Sequence, residues 1–404
     1  MKYKKDFPIF KRKYRGHDLI YLDSAATSQK PQAVIDAVSN FYANGCANIG
    51  RSVYDLGEQA TRQVNLVRQK LANFINSDFN EIVFTSGATS GINFVASTWG
   101  AKFIQPGDEI IISVSEHHAN FVPWQNLAQK TGTVLRILNL TSDYELDLVA
   151  YQKLLTSKTK LVAITYSSNV LGVINNLDLI ISLAKKFGAA VLIDAAQAIS
   201  YHKIDVKKLD CDFLVFSGHK MLAPDGVGVL YINQKWHDQI DPYQFGGGMI
   251  SSVSLKQVTY LKSPVKFEAG TLPIGSIMGL GAALDYYQEH LDYHDLQKHL
   301  ASLCANLLDG LAKLTAVKVI GNPKQLRQSG HLVSFTVSGF HAHDVAAYLD
   351  QFGICTRAGN HCAQPLHDVL GLAATVRVSF HVYNNKHDVD YLLICLKELI
   401  ERGF

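Results

Sequence analysis

The sequence predicts an α/β protein with a large domain built on a mostly parallel, doubly wound sheet and a smaller α+β domain at the C-terminus. From about residue 80 to 231, short β-rich runs alternate with helical patterns, which is typical of parallel strands covered by helices on both faces. After about residue 285 the pattern changes to a long helical stretch followed by further strand candidates. A chain of 404 residues is long enough for two domains around one site.

Each predicted strand of the large domain is a short apolar run. The runs cover residues 82–84, 109–113, 133–138, 160–165, 190–194, 212–216 and 227–231. Between two of them, residues 177–187 have apolar side chains at helical spacing and end at Gly188, which favours a helix stop. Further on, we predict a helical stretch and two strands, over 284–314, 331–337 and 376–380. We therefore expect three parts, with the first packing against the small domain: an N-terminal segment (1–20), a large domain (21–284) and a small domain (285–404).

Composition limits the classes of protein that this chain can be. Hydrophobic residues make up 48% and charged residues 18%, so a large core can form. The formal net charge is +3, and much of the basic excess lies in residues 2–15, which we interpret as a solvated terminus rather than an arm for nucleic acid or membrane. A signal-peptide pattern, a membrane-spanning run and disulfide-framework spacing of the six cysteines are all absent from the sequence. We expect a cytoplasmic enzyme with free thiols, with no nucleic-acid or membrane partner.

One cysteine differs from the others in its surroundings. Cys362 follows His361 in a polar loop that also contains Arg357, and Gly359 and Pro365 mark the loop as irregular. Nearby positive charge stabilises a thiolate, which is the nucleophilic form of cysteine. The alternative is a loop cysteine without a chemical role.

Two polar residues follow buried strands in a way that suggests cofactor chemistry. Lys220 comes just after the predicted strand 212–216, where a partly buried amine can react with an aldehyde. Asp194 ends the strand 190–194, where a carboxylate can keep a pyridinium nitrogen protonated. The alternatives are a surface lysine in a turn and an aspartate that caps a helix.

Two more segments occupy the same position relative to their strands. Residues 85–91, which include Ala88 and Thr89, offer small hydroxyl side chains and glycines that can surround a phosphate at a helix N-terminus. They lack the lysine of a P-loop and the spacing of a dinucleotide fingerprint. His117 follows the strand 109–113, where an imidazole can stack on a flat ring or move a proton. The pair with His118 also suggests a metal, but no further ligand stands at metal-site spacing, so we predict none.

Together these four segments predict a pyridoxal 5′-phosphate site. The phosphate cradle, the stacking ring, the pyridinium carboxylate and the lysine follow four different strands. In a doubly wound sheet, ligands bind at the carboxyl ends of the strands, so the four segments are expected to meet there. A nicotinamide-dependent enzyme would need a glycine fingerprint after the first strand, and we find none.

The chain resembles the SufS-type cysteine desulfurases, which are class V aminotransferase-like enzymes of PLP fold type I, and it looks closest to the Gram-positive SufS group. The resemblance extends from Tyr21 to Leu393. It rests on the motifs EHHAN, SNVLG, DAAQ, SGHK, FEAGT and RAGNHCAQPL. Two segments depart from the family pattern: residues 50–54 lack histidines found in many relatives, and Leu272-Pro273 replaces the usual Pro-Asn.

The resemblance implies a role for each motif residue. Lys220 would bind the cofactor covalently, Asp194 would pair with the pyridine nitrogen, His117 would stack on the ring and Gln197 would bond the phenolic oxygen. The phosphate would be held by Ala88, Thr89, Ser217 and His219, with Thr271 from a neighbouring subunit. The substrate carboxylate would be held by Asn169 and Arg377, with Arg357 near the thiol. From the strand pattern alone, Arg377 reads as an outward-facing strand residue.

The resemblance also implies an activity and partners. L-Cysteine would lose its sulfur to Cys362, which releases L-alanine and leaves a persulfide for iron-sulfur cluster assembly. The short segment from Cys362 to Arg377 predicts poor sulfur release without a helper, so we expect a SufU-like or SufE-like acceptor. His343, in a His-Ala-His-Asp motif, would contact a zinc-containing acceptor. The alternative for His343 is a surface residue at a helix start, beside a capping Asp344. A homodimer is expected from the family.

Three rival functions remain open from the sequence. A selenocysteine lyase would keep the same cofactor residues, whereas another class V aminotransferase would have no use for Cys362. A non-catalytic sulfur-assembly scaffold would be expected to have lost Lys220, Asp194, His117 or Cys362, and all four are present.

Overall fold

The protein is described by a computed structural model that covers residues 3–403, apart from the side chain of Ser329. Its largest sheet contains the strands β1 (Ile82–Thr85), β2 (Glu109–Ser113), β3 (Val134–Leu138), β4 (Thr159–Thr165), β5 (Ala190–Asp194), β6 (Phe213–Ser217) and β7 (Gly228–Ile232). The longer helices are α1 (Gln32–Asn40), α2 (Asp55–Ile75), α3 (Ala88–Val95), α4 (Val122–Thr131), α5 (Leu148–Leu154), α6 (Leu177–Lys186), α7 (Ile274–His290), α8 (Tyr293–Leu311), α9 (Pro323–Ser329), α10 (Ala342–Gln351), α11 (Gln364–Val369) and α12 (Lys386–Arg402).

The large sheet is mostly parallel, as predicted. Its strand order is β1-β7-β6-β5-β4-β2-β3, and only β7 runs antiparallel to its two neighbours among these strands. The four parallel pairs place the ends of β2, β4, β5 and β6 at one edge of the sheet. The predicted strands agree with the observed ones to within one residue at each end.

Alternate residues of the central strands enter two different cores. In β5, Val191 and Ile193 pack into one hydrophobic cluster, whereas Ala190 and Leu192 pack into the other. Because both faces of the strand are covered, its sequence is continuously apolar until Asp194. That residue is therefore the first polar group at the end of the strand.

The helix α6, one of the helices that cover the large sheet, begins, packs and ends as its local sequence predicts. Asn176 caps it by accepting a hydrogen bond from the backbone N–H of Leu179. Four apolar residues at helical spacing are buried along it: Leu177, Ile180, Ile181 and Ala184. The chain then leaves the helix through Gly188, whose φ of 74° suits glycine.

A second, antiparallel sheet lies in the C-terminal part. It contains β8 (Val317–Ile320), β9 (Leu332–Val337), β10 (Arg357–Gly359) and β11 (Thr375–Ser379) in the order β8-β9-β11-β10. The prediction of one long helix over 284–314 is wrong, because the chain forms α7 and α8 instead. Asp292 separates them: its side chain caps α8 by accepting a hydrogen bond from the backbone N–H of Asp295. The predicted boundary at residue 284 falls inside α7, and the three domain limits stay predictions.

The N-terminal segment is fastened to the rest of the chain by a strand and by aromatic packing. A short strand, Ile20–Tyr21, pairs in parallel with Ile354–Cys355. Phe7 is fully buried, with its ring centroid 4.9 Å from that of Tyr383 and 6.0 Å from that of Tyr286. Within residues 3–403, none of the helices is both long and apolar enough to cross a membrane.

Candidate active site

A cavity of about 360 Å³ opens where the strands of the large sheet end against the second sheet. It brings together most of the residues that the sequence singled out: Ala88, Thr89, His117, Asn169, Asp194, Gln197, Ser217, His219, Lys220, Arg357, Cys362 and Arg377. Two predicted residues lie outside its lining, Thr271 and His343. Both are exposed at the surface.

Lys220 stands in a short helical turn directly after β6. The pKa of its amine is lowered to about 8, mainly by burial; the charge of Asp194 opposes this shift and the nearby Arg377 contributes to it. Its own backbone C=O accepts a 2.8 Å hydrogen bond from the hydroxyl of Ser200. A lysine in this setting has a substantial neutral fraction near neutral pH, unlike an exposed one.

The peptide before Lys220 is held by a segment that the sequence reasoning missed. The backbone C=O of His219 accepts hydrogen bonds from the Ser28 N–H and hydroxyl at 3.0 Å each. It also accepts hydrogen bonds from Thr27 Oγ1 and Lys30 Nζ, both at 3.1 Å. Burial lowers the pKa of the Lys30 amine to about 8. In the sequence, this stretch reads as an ordinary polar loop, and no pattern links it to a lysine almost two hundred residues away.

Asp194 is buried at the end of β5 and lines the cavity. Its Oδ1 accepts a 2.9 Å hydrogen bond from the backbone N–H of Ala196. Burial raises the pKa of this carboxyl, while that hydrogen bond and the charge of Lys220 act in the opposite direction. Close by, Gln197 Nε2 donates to the backbone C=O of Ala25 at 2.9 Å. That contact fixes the orientation of the Gln197 amide at the cavity wall.

The segment between β1 and α3 forms a tight pocket wall with the end of β6. The Ala88 N–H donates to Ser217 Oγ at 2.9 Å, which joins the start of α3 to the strand that precedes Lys220. A Cβ added to Gly87 would lie 3.2 Å from Ser217 Oγ, and one added to Gly228 would lie 2.5 Å from Gly87 Cα. Glycine at these positions leaves the backbone N–H groups at the start of α3 within reach of a small anion.

His117 is held as a neutral imidazole at the end of β2. Its Nδ1 accepts a 3.0 Å hydrogen bond from the backbone N–H of Ala119, so its remaining proton is on Nε2. Burial, together with the charge of Lys220, lowers the pKa of the ring to about 3. Behind it, Glu116 is fully buried and accepts hydrogen bonds from Ser113 Oγ at 2.5 Å and Asn120 Nδ2 at 2.7 Å. Burial raises the pKa of that carboxyl to about 8.

The loop that carries Cys362 is fastened to the ends of two strands. The backbone C=O of Cys362 accepts a 2.7 Å hydrogen bond from the N–H of His118, and the N–H of Gln364 donates to His118 Nε2 at 3.1 Å. On the other side, Asn169 Nδ2 donates to the C=O of His361 at 2.7 Å. His361 and Cys362 adopt left-handed φ angles of 52° and 57°, and Cys362 remains exposed. The thiol is therefore presented on a turned and anchored backbone.

Two arginines meet at one carboxylate beside this loop. Arg377 is 2% exposed, so the outward-facing alternative for it is wrong. It donates from Nη1 to the C=O of Asn169 at 3.0 Å and from Nη2 to Asp23 Oδ1 at 3.2 Å. Arg357 donates from Nε and Nη2 to Asp23 Oδ2 at 3.0 and 2.7 Å. The sequence reasoning did not identify Asp23, whose only signal is its position directly after a short apolar run.

Side chains that could hold a metal ion lie elsewhere. Among the described residues, one group of three brings its ligand atoms within 4.8 Å of one another, and it consists of the exposed Asp292, His294 and Asp295. None of these residues lines the cavity.

Comparison with known proteins decides the family. The model of the aminotransferase class-V family matches residues 20–392. The chain belongs to the class-V aminotransferase family. It is 44% identical over 400 residues to a cysteine desulfurase of Salmonella gallinarum, an alignment that covers 98% of this chain and 97% of the relative.

Solved structures of other family members agree over nearly the whole chain. The apo structure of a cysteine desulfurase from Thermococcus onnurineus superposes with a TM-score of 0.94 at 38% identity, covering 99% of this chain and 98% of the other. The cysteine desulfurase CsdA of Escherichia coli, in an S-sulfonic acid form, gives 0.91 at 36% identity with the same coverage. The predicted fold class, PLP fold type I with a large mixed sheet, is confirmed.

Proposed function

We propose that this class-V family member is a cysteine desulfurase that uses pyridoxal 5′-phosphate. It removes sulfur from L-cysteine, releases L-alanine and keeps the sulfur as a persulfide on Cys362 for iron-sulfur cluster assembly. The observation that carries the proposal is that the Cys362 thiol and the Lys220 amine line one cavity. Full-length similarity to proteins named cysteine desulfurase supports it.

The residues at the cavity fit the cofactor. The buried Asp194 carboxylate suits a protonated ring nitrogen, and Ala88 and Ser217 bring the start of α3 and the end of β6 to the cavity wall, where a phosphate could bind. Thr89 and His219 add polar groups to the same wall, with Thr271 proposed to come from a neighbouring subunit. A cavity of about 360 Å³ is within the range of small-ligand sites. When bound there, the cofactor supplies an electron sink for the α-carbon of an amino acid.

The chain's own residues then move protons. The Lys220 amine, with a pKa of about 8, removes the α-proton once it is free, because an amine near that pKa is both partly neutral and basic enough. Asp194 would pair with the ring nitrogen, and its carboxylate would favour a proton on that atom. Neutral His117 would stack on the ring and offer its Nε2–H. Gln197, whose orientation is set by the Ala25 carbonyl, would bond the phenolic oxygen.

The substrate carboxylate binds on the arginine side of the cavity. Arg377 Nε is buried and has no hydrogen-bond partner within residues 3–403, so it is available to a carboxylate. The Asn169 side chain, which already donates to the Cys362 loop, would couple carboxylate binding to the position of that loop. Fixing the carboxylate and the α-amine at two points aligns the α-proton with Lys220.

Cys362 performs the sulfur transfer. Its thiolate attacks the sulfur of the bound L-cysteine, a sulfur–sulfur bond forms, and the Cβ–S bond breaks with its electron pair left on the carbon fragment. Protonation of that fragment yields L-alanine, and Cys362 retains the sulfur. Because the loop is anchored by His118 and Asn169, the persulfide has little freedom to reach distant acceptors, which favours delivery to a docked partner.

The finer assignments are a homodimer, a place in the Gram-positive SufS group, a cytoplasmic location and a SufU-like or SufE-like acceptor. Large apolar side chains are exposed on two stretches, which supports a covered surface in a dimer: Tyr42, Val53, Tyr54, Leu56, Tyr243, Phe245, Val253 and Leu255.

His343 is proposed to contact the sulfur acceptor. It is exposed, and its ring lies 3.9 Å from where a Cβ on Gly359 would be, next to the Cys362 loop. The cap of its helix is His341, not the expected Asp344.

The test begins with the purified protein and its visible absorbance, which reports bound cofactor. L-Cysteine is then added, and alanine and sulfide are measured separately with and without reductant. We expect alanine to form without matching free sulfide until reductant releases it from the persulfide. Cys362→Ser should keep the cofactor absorbance and lose alanine formation.

If Cys362→Ser converts L-cysteine at the full rate, a class V aminotransferase is the better assignment. Faster turnover of selenocysteine by that variant indicates a selenocysteine lyase, and no turnover by the intact protein indicates a scaffold.

A further inference from the structure

Asp23 occupies a position that couples both arginines of the cavity. It lies two residues after the short strand Ile20–Tyr21, and its side chain is about 10% exposed. One carboxylate oxygen accepts from Arg377 Nη2 at 3.2 Å, and the other accepts from Arg357 Nη2 at 2.7 Å. Arg357 Nε lies 3.1 and 3.0 Å from the two oxygens. Charged hydrogen bonds of this kind orient both guanidinium groups before any ligand binds.

The carboxylate is not needed to attach this segment to the fold. Backbone hydrogen bonds already do so, from the Leu22 N–H to the Cys355 C=O at 2.9 Å and from the Ser379 N–H to the Leu22 C=O at 2.8 Å. The Ala25 N–H adds a bond to Ser379 Oγ at 2.9 Å. Since the segment is held on both sides of Asp23, the side chain can be explained by what it does to the arginines.

Arg357 and Arg377 line the cavity, and Asp23, outside the lining, pairs with both, which leaves one positive charge uncompensated on the arginine side. Arg357 and Arg377 contribute two positive charges and Asp23 one negative charge. Burial lowers the pKa of His117 to about 3 and that of His361 to about 2, so both rings are neutral at pH 7. The remaining single charge matches an amino acid with one carboxylate.

We propose that Asp23 is a specificity-determining residue that restricts the site to amino acids with one carboxylate. The single net positive charge compensates one substrate carboxylate, so a second negative charge on the substrate side chain is left uncompensated and weakens binding. Like charges about 5 Å apart at the surface of a site reduce affinity by roughly 10- to 100-fold. The proposal rests on the proposed function, because it assumes that an amino acid binds with its carboxylate at Arg377. It adds the class of substrate that the site excludes.

The test compares L-aspartate with L-asparagine, which have the same size and differ in the charge of the side chain. Their dissociation constants are measured on the cofactor-loaded protein by calorimetry and by the change in visible absorbance, without cysteine turnover. The intact protein should bind L-asparagine more tightly. In Asp23→Asn, the ratio of the two constants should shift by at least tenfold toward L-aspartate. A ratio that stays within twofold of the original would overturn the proposal.

Two further variants separate charge from folding and from geometry. Asp23→Asn combined with Arg357→Gln restores the single positive charge, so the ratio should return toward that of the intact protein. Arg357→Gln alone leaves no net charge and should shift the ratio further against L-aspartate. If Asp23→Asn does not fold, Arg357→Gln serves as the test in its place. An unchanged ratio of the two dissociation constants in Arg357→Gln also overturns the proposal. Circular dichroism and cofactor absorbance check that each variant is folded and loaded.

The matched control is Asp309→Asn, which removes an exposed aspartate that pairs with Arg327 at 2.6 Å outside the cavity. It should leave the ratio unchanged, and a shift equal to that of Asp23→Asn would contradict a local effect. The proposed function is tested separately by alanine formation from L-cysteine in the intact protein. If the protein makes alanine but Asp23→Asn leaves the ratio unchanged, the proposed function holds and the role of Asp23 in specificity is wrong.

Discussion

His118 holds the backbone between Cys362 and Gln364 at two points. Its backbone N–H donates to the Cys362 C=O at 2.7 Å, and its ring Nε2 accepts the N–H of Gln364 at 3.1 Å. Both contacts lie on the C-terminal side of the residue that is proposed to accept sulfur. His118 is therefore a positioning residue for the thiol, while its neighbour His117 lines the cofactor cavity.

Replacing His118 by Ala should loosen the loop without disturbing the cofactor. The variant loses the ring acceptor for Gln364, which is worth about 1 kcal/mol, or roughly fivefold in the population of the anchored loop. We expect alkylation of Cys362 by iodoacetamide to become several-fold faster, and persulfide formation in a single turnover to become slower by a similar factor. The visible absorbance of the cofactor should stay the same, because His118 does not line the cavity.

A matched control for this variant is His299→Ala. His299 is also half-buried and also bonds to a backbone group, the C=O of Asn384 at 2.9 Å, far along the chain from the cysteine loop. It should alter neither the alkylation rate nor the single-turnover rate. Equal alkylation rates in His118→Ala and the intact protein would show that the ring does not restrain the loop.

The rate of α-proton removal should depend on the protonation of Lys220. The pKa of this amine is lowered to about 8, and only the neutral form can act as a base. The rate should therefore rise with pH up to about 8 and level off above it. Exchange of the α-proton of L-alanine in deuterated buffer, followed by NMR from pH 6 to 10, measures this step without Cys362. A pH-independent exchange rate would argue against Lys220 as the base, and Lys220→Ala should slow exchange by at least about 100-fold.

The sequence predicted the sheet and most of the cavity for a physical reason. Strands buried on both faces must be apolar, so a polar residue such as Asp194 or Ser217 at a strand end stands out, and parallel strands bring such ends together. The same reasoning could place Lys220 and His117. It could not separate α7 from α8, because Asp292 interrupts an otherwise continuous helical pattern with a single capping residue.

Contacts between distant segments were not predictable in the same way. Asp23, Lys30 and His118 act through hydrogen bonds to residues hundreds of positions away, and such bonds leave no periodic signal in the sequence. The burial of Arg377 was also hidden, because a lone arginine in a strand is more often exposed than paired.

The free energy of unfolding should fall as the pH drops below about 6.5. Burial lowers the pKa of three histidines to between about 2 and 3: His117, His361 and His381. Because the unfolded chain binds protons at these rings first, the stability contributed by the neutral rings is complete above pH 6.5 and is lost as the pH falls toward the lowered values. Each group contributes roughly 1.4 kcal/mol per pH unit over that range. Urea unfolding at pH 7, 6 and 5 checks the slope, and a stability that does not change over this range would contradict it.

The buried pair of Arg68 and Glu268 should be critical for stability. Both side chains are about 3% exposed, and they join through two hydrogen bonds of 2.7 and 2.8 Å. Glu268 Oε1 also accepts the N–H of Phe84 at 2.7 Å, which ties the FEAGT segment to the strand before the phosphate cradle. Glu268→Ala leaves a buried guanidinium without its partner, which costs about 3–5 kcal/mol.

The matched control is Asp285→Ala, which breaks the pair with Lys70. Both of those side chains are about 41% exposed, so water screens the pair and its loss should cost at most about 1 kcal/mol. Urea unfolding of the two variants measures the difference, and cofactor absorbance shows whether loss of Glu268 also weakens the phosphate cradle. A buried cation without a partner is less stable than a hydrated one, so Glu268→Ala should have the lower free energy of unfolding. Similar free energies of unfolding for the two variants would contradict the prediction that the buried pair is critical.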